Sequence, residues 1–395
     1  MSAVSEIHLA VALDGAGGHP VAWREPGARP AELFTARYWA GVVAEAEAGL
    51  LDFVTFDDAL SLQSASPGAQ DERTDRVRGR LDAVLTAARI APLTGRIGLV
   101  PGVTATHTEP FHVSKAVATL DHVSRGRAGL DVQVFGLPHE ERHFGRRPVP
   151  LQEDELHEEA GDHVEVVRRL WDSWEDDAEI RDVATGRFVD RDKLHHIDFT
   201  GQHFSVRGPS ITPRPPQGQP VVTARATDSA AYGLIARAAD VGFLPSRDTA
   251  GARAAVAAVR RLRESAGPGA QPLHLFGELT VFLDEDAAAA ADRLGRLDAL
   301  AGDPYEGGGA PVFTGTASQL ADLLQERQEA GLSGFRLRPG VIAHDLPAIT
   351  RALVPELRRR GLFRREYGAE TLRGLLGLDR PAGRHATAAA ARRAS

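Results

Sequence analysis

The chain has 395 residues, of which 43% are hydrophobic and 25% are charged, as is usual for a globular protein. Its formal net charge of −8 disfavours a nucleic-acid partner, because binding to a phosphate backbone needs a basic surface. The absence of cysteine excludes disulfides, thiolate nucleophiles and cysteine-ligated metals, and is compatible with a reducing cytoplasm. The sequence predicts neither a signal peptide nor a membrane-spanning helix, since it has no basic and then apolar leader and no apolar stretch of about 18 residues.

Short apolar segments alternate along the chain with longer segments of helical period, which is typical of βα units and a parallel sheet. The predicted strands are 7–13, 53–56, 97–100, 128–134, 220–224, 240–244, 273–283 and 334–338. The predicted helices are about 32–49, 81–91, 111–123, 162–174, 252–264, 285–300, 316–330 and 346–360, with one more after the fifth strand. Eight βα units predict an α/β fold of the (β/α)8 TIM-barrel type, formed by residues 1–378 as one domain.

An open, doubly wound sheet is the competing architecture. That fold normally carries a glycine fingerprint between its first strand and the following helix. Gly15, Gly17 and Gly18 do not have that spacing, and Pro20 follows in a long loop. The glycine pattern therefore favours the closed barrel.

Two segments depart from the βα rhythm. Residues 176–218 are polar, end in several prolines and predict an insertion into the barrel. Residues 379–395 are rich in alanine and arginine without apolar periodicity, and predict a disordered C-terminal tail.

Several strings, taken in their order and spacing, resemble the luciferase-like flavin-dependent monooxygenases. The resemblance is strongest to the branch that contains nitrilotriacetate and dibenzothiophene-sulfone monooxygenases, and it covers about residues 5–378. The strings that carry it are Phe53–Leu60, Gly126–Gly129, Val164–Ala178, Pro216–Gly218 and Gly334–Leu337.

The resemblance implies a luciferase-like barrel with insertions and a flavin at its C-terminal mouth. It implies reduced FMN, supplied by a separate flavin reductase, that reacts with O2 to oxygenate a small organic substrate. In such an enzyme the flavin carries the oxygen chemistry, and the protein binds, orients and excludes water. The resemblance also implies a cytoplasmic homodimer, and it leads us to expect the insertion to form a lid over the substrate.

Cofactor-binding residues are expected where strands end, at the C-terminal mouth. By resemblance, Asp58 after the second strand and Thr104 after the third are expected beside the flavin ring. Asp131 and Gln133 are also expected to bind the flavin, although they stand where the branch has an Asn-containing string at the end of the fourth strand. Asp131 could accept a hydrogen bond from the N–H edge of the flavin, as asparagine would. Asp131 would bring a charge next to the reduced ring. The structural alternatives are helix capping for Asp58 and a turn hydroxyl for Thr104.

The segment after the fifth strand is expected to hold the FMN phosphate. The branch usually has a glycine and a serine there, at a helix N-terminus. This chain has no glycine in that segment. Arg225, Thr227 and Ser229 could still bind the phosphate, the arginine through a charge-assisted contact. Asp228 would repel the phosphate, and the alternative is that this segment only caps the next helix.

Three histidines are candidate catalytic residues: His107, His143 and His157. Each could act as a proton donor or base near neutral pH, and each could instead be a surface or capping histidine. The adjacent histidines His195 and His196 do not have the spacing of a metal site, so no metal is predicted.

Two other functions remain open because of the substitutions after the fourth and fifth strands. One is a deazaflavin-dependent oxidoreductase that transfers hydride. The other is a non-catalytic barrel that has lost its flavin.

Overall fold

The computed structural model describes residues 6–64, 71–145, 151–265 and 272–386. The strands up to the middle of the chain are β1 His8–Leu13, β2 Phe53–Phe56, β3 Gly98–Thr104, β4 Gly129–Gln133, β5 Glu179–Asp182, β6 Arg187–Val189, β7 Phe199–Thr200 and β8 Ser205–Val206. The later strands are β9 Val221–Arg225, β10 Val241–Leu244, β11 His274–Leu283, β12 Val312–Gly315 and β13 Gly334–Pro339.

Eight of these strands form a closed parallel barrel. They pair in the order β1, β2, β3, β4, β9, β10, β11 and β13, and β13 pairs with β1 to complete the circle. The predicted (β/α)8 TIM barrel is therefore confirmed, and each of its strands overlaps a predicted one. The sequence did not predict β12, which extends the sheet along the last residues of β11.

Helices surround the barrel. They are α1 Ala36–Ala48, α2 Ala83–Ile90, α3 Pro110–Ser124, α4 Pro138–Phe144, α5 Glu153–Trp171, α6 Ala231–Ala238, α7 Thr249–Ser265, α8 Ala287–Ala301, α9 Ala317–Glu329, α10 Ile342–Ala348, α11 Val354–Arg359 and α12 Leu372–Leu375. A π-helical turn, Ile349–Leu353, joins α10 to α11. No helix in the described part of the chain is long and apolar enough to cross a membrane.

Helix α5 begins nine residues before the predicted start at 162. Gln152 and Glu155 form a capping box, in which each side chain accepts a hydrogen bond from the other's backbone N–H. The cap stabilises a first turn that is acidic and lacks apolar periodicity, which explains why the periodicity located only the later part of the helix.

The barrel interior has two chemically distinct halves. At the N-terminal end, apolar side chains fill it, including Phe53, Phe243 and Phe276, and Leu372 and Leu376 of the C-terminal segment close it from below. In the half nearer the mouth the inward positions are polar or charged. A layer of charged side chains (the ionic layer) therefore lies directly below the mouth, and apolar side chains fill the barrel below that layer.

The insertion lies at the N-terminal face, so the expectation of a lid was wrong. Residues 176–218 connect the end of α5 to the start of β9, and in a βα barrel such connections lie opposite the mouth. The contacts agree with this position: the backbone N–H and the side chain of Gln217 donate to Asp121. The same side chain donates to the carbonyl of Ala128, directly before β4.

The predicted tail begins at residue 379. Residues up to 386 are described, and they lie against α5 and the insertion. Arg380 pairs with Asp176, Arg384 pairs with Glu165, and the ring of His385 stacks on His195 at 3.7 Å between centroids. Residues 387–395 of the predicted tail lie outside the described residues.

Candidate active site at the barrel mouth

Alternation along the strands decides which side chains face the mouth. Residues Asp131 and Gln133 of β4, Thr223 and Arg225 of β9, Glu278 and Thr280 of β11, and Arg336 and Arg338 of β13 follow the two-residue period. Contacts across the interior support this direction, since Arg336 of β13 lies 3.6 Å from Asp131 of β4 and Arg225 of β9 donates to Glu278 of β11. The last inward residue of each strand forms the floor of the mouth.

Glu278 is the centre of the ionic layer. It is fully buried and accepts from Arg225 Nε and, at 2.7 Å, from Arg336 Nη2, while Arg338 Nη2 lies 3.9 Å away. Burial raises the pKa of Glu278, but the three guanidinium groups outweigh it and hold the pKa below its ordinary value. The carboxylate therefore stays ionised beneath the mouth.

Arg338 links this carboxylate to the rim. Its Nη1 donates to Asp57 Oδ2 at 2.6 Å. A second ion pair at the rim joins Arg80 to Asp14 through two hydrogen bonds, of 2.9 and 2.6 Å. Burial raises the pKa of Asp57, but Arg338 and Arg336 bring it below its ordinary value. Asp57, directly after β2, is thus part of the interior network.

Asp131 belongs to the ionic layer, one position below the floor of the mouth. Its carboxylate accepts from Thr223 and lies 3.6 Å from Arg336 Nη1. Burial raises its pKa, and Arg336 and Thr223 offset this only in part. A proton is therefore easier to place on Asp131 than on an exposed aspartate, which reduces its charge beneath the mouth.

A cavity of about 1350 Å³ opens beside this floor. It is lined by the loop after β1, by parts of the loop after β2, and by residues around Arg247 and Gly308–Val312. Tyr305 also lines it, and burial raises the pKa of its phenol. The hydroxyl is therefore a neutral group that can donate a proton or a hydrogen bond into the cavity.

Three predicted cofactor-binding residues lie at the floor of the mouth: Thr104, Gln133 and Arg225 close β3, β4 and β9. Gln133 Oε1 and Arg225 Nη2 are buried and form no hydrogen bond with any described residue. These two polar atoms suit a ligand that donates a hydrogen bond to Gln133 Oε1 and accepts one from Arg225 Nη2.

Asp58, Thr227 and Ser229 lie away from that floor. Asp58 accepts from the backbone N–H groups of Ala59 and Ala83, the second at the start of α2. Thr227 and Ser229 are exposed in the turn before α6. Their assignment as cofactor-binding residues stays a prediction.

The three candidate histidines occupy different surroundings. His107 is buried and its ring stacks on Phe144 at 5.0 Å, whereas His143 is exposed on α4. His157 is buried in α5, where Nδ1 is 2.9 Å from the carbonyl of Glu153 one turn earlier. The structure does not gather them around one point, so their catalytic role stays a prediction.

The sequence analysis missed Asp14, Arg80, Glu278, Arg336 and Arg338. The signal was present in the strands, because charged residues interrupt the apolar runs of β11 and β13 at positions that share one face. In the described residues, no group of three or more His, Cys, Asp or Glu side chains is placed to hold a metal ion.

Residues 17–334, about four fifths of the chain, match the model of the family described as luciferase-like monooxygenase. The chain belongs to the luciferase-like monooxygenase family. The family is that of flavin-dependent monooxygenases, which confirms the sequence-based interpretation of both the fold and the enzyme class.

Two relatives extend over nearly the whole of this luciferase-like monooxygenase. The N-acetyl-S-(2-succino)cysteine monooxygenase of Bacillus subtilis (strain 168) is 29% identical and aligns over 96% of this chain and 98% of its own. Nitrilotriacetate monooxygenase component A of Aminobacter aminovorans is 29% identical with the same coverage.

Solved structures agree on the fold. A long-chain alkane monooxygenase superposes with a TM-score of 0.86 at 23% identity, covering 94% of this chain and 96% of that one. A riboflavin lyase with modified FMN and riboflavin gives 0.84 at 25% identity, with 96% and 98% covered. An F420-dependent secondary alcohol dehydrogenase gives 0.63 at 14% identity, covering 89% and 99%. The barrel of the F420-dependent enzyme is thus similar but more distant.

Proposed function

We propose that this protein is the oxygenase component of a two-component system that receives reduced FMN from a separate flavin reductase. The substrate is a small organic molecule that binds in the cavity beside the barrel mouth. The observation that carries the proposal is the cavity of about 1350 Å³ beside the charged floor, in a chain 29% identical over 96% of its length to two named monooxygenases.

The residues at the floor fit a flavin. Gln133 Oε1 needs a donor, as the N–H edge of an isoalloxazine ring supplies, and Thr104 lies beside it at the end of β3. Arg225 Nη2 needs an acceptor, as a phosphate or a ribityl oxygen supplies. When bound there, reduced flavin would supply the two electrons needed to activate O2, so that one oxygen atom would enter the substrate and the other would leave as water.

The chain's own residues would bind, orient and exclude water. Thr104 and Gln133 would hold the ring edge, and Arg225 the polar end. Arg338, held by Asp57, places a fixed positive charge beneath the mouth, where negative charge on a reduced ring is stabilised. The neutral hydroxyl of Tyr305 is a candidate proton donor on the cavity wall, and it lies with Arg338 beside Gly18.

The family likeness also leads us to propose a homodimer that acts in the cytoplasm. The cysteine-free composition is compatible with a reducing compartment.

The test is an anaerobic titration of the purified protein with dithionite-reduced FMN, followed by admission of air in the presence and absence of candidate substrates. We expect micromolar binding of reduced FMN and weaker binding of oxidised FMN, with oxygen uptake coupled to product once the substrate is found. The proposal is wrong if neither redox form of FMN binds. Binding of a reduced deazaflavin in its place would support the hydride-transfer alternative.

A further inference from the structure

Arg225, at the floor of the mouth, and the exposed Arg247 lie on one side of the mouth, at the ends of neighbouring strands. Arg225 is the last residue of β9 and is in register with Phe243 of β10, and Arg247 follows the end of β10 by three residues. Arg247 and Gly309 both line the cavity. Gly309 lies against the guanidinium of Arg225, because a Cβ at this glycine would be 3.0 Å from Arg225 Nη2.

Arg225 shares its carboxylate partner and Arg247 has none among the described residues, whereas Arg80 and Arg338 are each paired closely with an aspartate at the mouth. Arg80 is held by Asp14, and Arg338 by Asp57. Arg225 has one carboxylate partner, Glu278, which it shares with Arg336, and about a quarter of its side chain is exposed. Arg247 is exposed and forms no ion pair with any described residue. Positive charge is therefore left over on this side of the mouth.

The turn between Glu306 and Ala310 makes room for the guanidinium. Gly307, Gly308 and Gly309 all have left-handed backbone angles, with φ of 84°, 60° and 83°. Residues with a Cβ rarely adopt this conformation, so three in succession require glycine. The glycine turn thus keeps the cavity side of Arg225 free of side chains.

The start of α6 is the other candidate anion site, since helix N-termini favour negative charge. It is already occupied by carboxylates. Asp228 Oδ1 accepts from Ala231 N at 2.9 Å, and a carboxyl contact between Asp228 and Glu153 raises the pKa of Glu153. A dianionic phosphate placed here would meet two acidic groups.

We propose that the phosphate of FMN binds to Arg225 and Arg247 on the glycine side of the mouth, and not at the start of α6. The inference rests on the proposed function, in which FMN is the cofactor. It separates Arg225 from Thr227 and Ser229, which lie with Asp228 in the turn before α6.

The test compares reduced FMN with reduced riboflavin, which has the same ring and no phosphate. Anaerobic titrations followed by flavin fluorescence and absorbance give the ratio of the riboflavin Kd to the FMN Kd. Charge-assisted hydrogen bonds to a phosphate predict a ratio of about ten or more for the parent protein. We expect Arg225→Gln to lower the ratio at least about fivefold and Arg247→Gln about threefold, with riboflavin affinity changed little.

Two control variants decide where the phosphate binds. Arg253→Gln removes the same charge from an exposed position of α7 and should leave the ratio unchanged. Asp228→Asn should change FMN affinity by no more than about threefold if the phosphate lies elsewhere. Since Arg247 is exposed, its variant tests the site even if the partly buried Arg225 variant does not fold.

The outcomes are distinct. A parent ratio near one, an unchanged ratio in both arginine variants, or a tenfold gain in FMN affinity on Asp228→Asn would each overturn the phosphate assignment. Failure of the parent to bind either reduced flavin would overturn the proposed function itself. A ratio that collapses only in the arginine variants supports the assignment.

Discussion

Substitution of Glu278 by glutamine should destabilise the fold strongly. The carboxylate is fully buried and is the shared partner of Arg225 and Arg336, with Arg338 at 3.9 Å. Removing one partner of a buried ion pair costs about 3–5 kcal/mol because the other charge is left uncompensated. Arg336 would retain Asp131 at 3.6 Å and the Phe243 ring at 3.7 Å. We therefore expect a loss near the lower limit, about 3 kcal/mol.

Urea denaturation followed by circular dichroism measures this effect, with Glu356→Gln as the matched control. Glu356 pairs with Arg359 and Arg360 on the surface, so its variant should shift the unfolding midpoint much less. The double variant Glu278→Gln/Arg336→Met removes a buried cation together with its anion and should recover at least about 1 kcal/mol. A Glu278→Gln protein as stable as the parent would refute the electrostatic account. The account would also be refuted if the double variant lost the sum of the unfolding free energies lost by the two single variants.

Two further substitutions test the surroundings of the site. Burial lowers the pKa of His163 to about 4. Between about pH 6.5 and pH 4 this histidine is therefore protonated in the unfolded chain but neutral in the folded chain. Stability is lost as pH falls through this range. The parent should lose about 2 kcal/mol of unfolding free energy between pH 8 and pH 5 through this histidine, and His163→Phe should abolish that loss. The exposed His112→Gln serves as the control. If both variants show the same dependence of unfolding free energy on pH as the parent, the prediction is contradicted. Gly18→Ala places a Cβ 2.8 Å from the Tyr305 hydroxyl and should weaken reduced-flavin binding, whereas Gly95→Ala, with open space around it, should not.

The barrel itself could be predicted from the sequence because parallel strands covered on both faces are nearly continuous apolar runs. All eight strands were located in this way, most of them within one or two residues of their observed ends. The missed elements lack such a signal. Strand β12 is four residues long, and α4 is seven residues long with a charged sequence, so neither shows a measurable period.

The position of the insertion was missed for a different reason. Its composition indicated an insertion correctly, but composition does not state which end of the barrel it joins. Connectivity does: residues 176–218 follow a helix and precede a strand, so they lie at the N-terminal face. The cavity at the mouth is lined instead by the loops after β1, β2 and β10 and by residues between 301 and 312.

The site could be predicted at strand ends and less well between them. Thr104, Gln133 and Arg225 lie at the floor, as strand-end residues should. Glu278 and Arg336 lie inside their strands, where the sequence pattern favoured simple core residues. Only the barrel topology brings these two side chains together, with Arg336 Nη2 2.7 Å from Glu278 Oε1.

The two positions at which the sequence departs from the family pattern, Asp131 and Arg225, belong to one electrostatic unit. Asp131 faces Arg336, Arg336 donates to Glu278, and Glu278 accepts from Arg225. Asp131 is an acidic group below the floor whose pKa is raised by burial, and Arg225 brings a cation to the floor. The two residues are coupled through the buried pair of Arg336 and Glu278 that lies between them. Taken singly, each weakens the case for a flavin site, because an ionised Asp131 would repel a reduced ring and the segment that contains Arg225 lacks the glycine expected there. Taken together, they leave the acidic group of Asp131 below the floor and place the cation of Arg225 against Gly309 of the cavity wall, where an anionic part of a flavin would meet it.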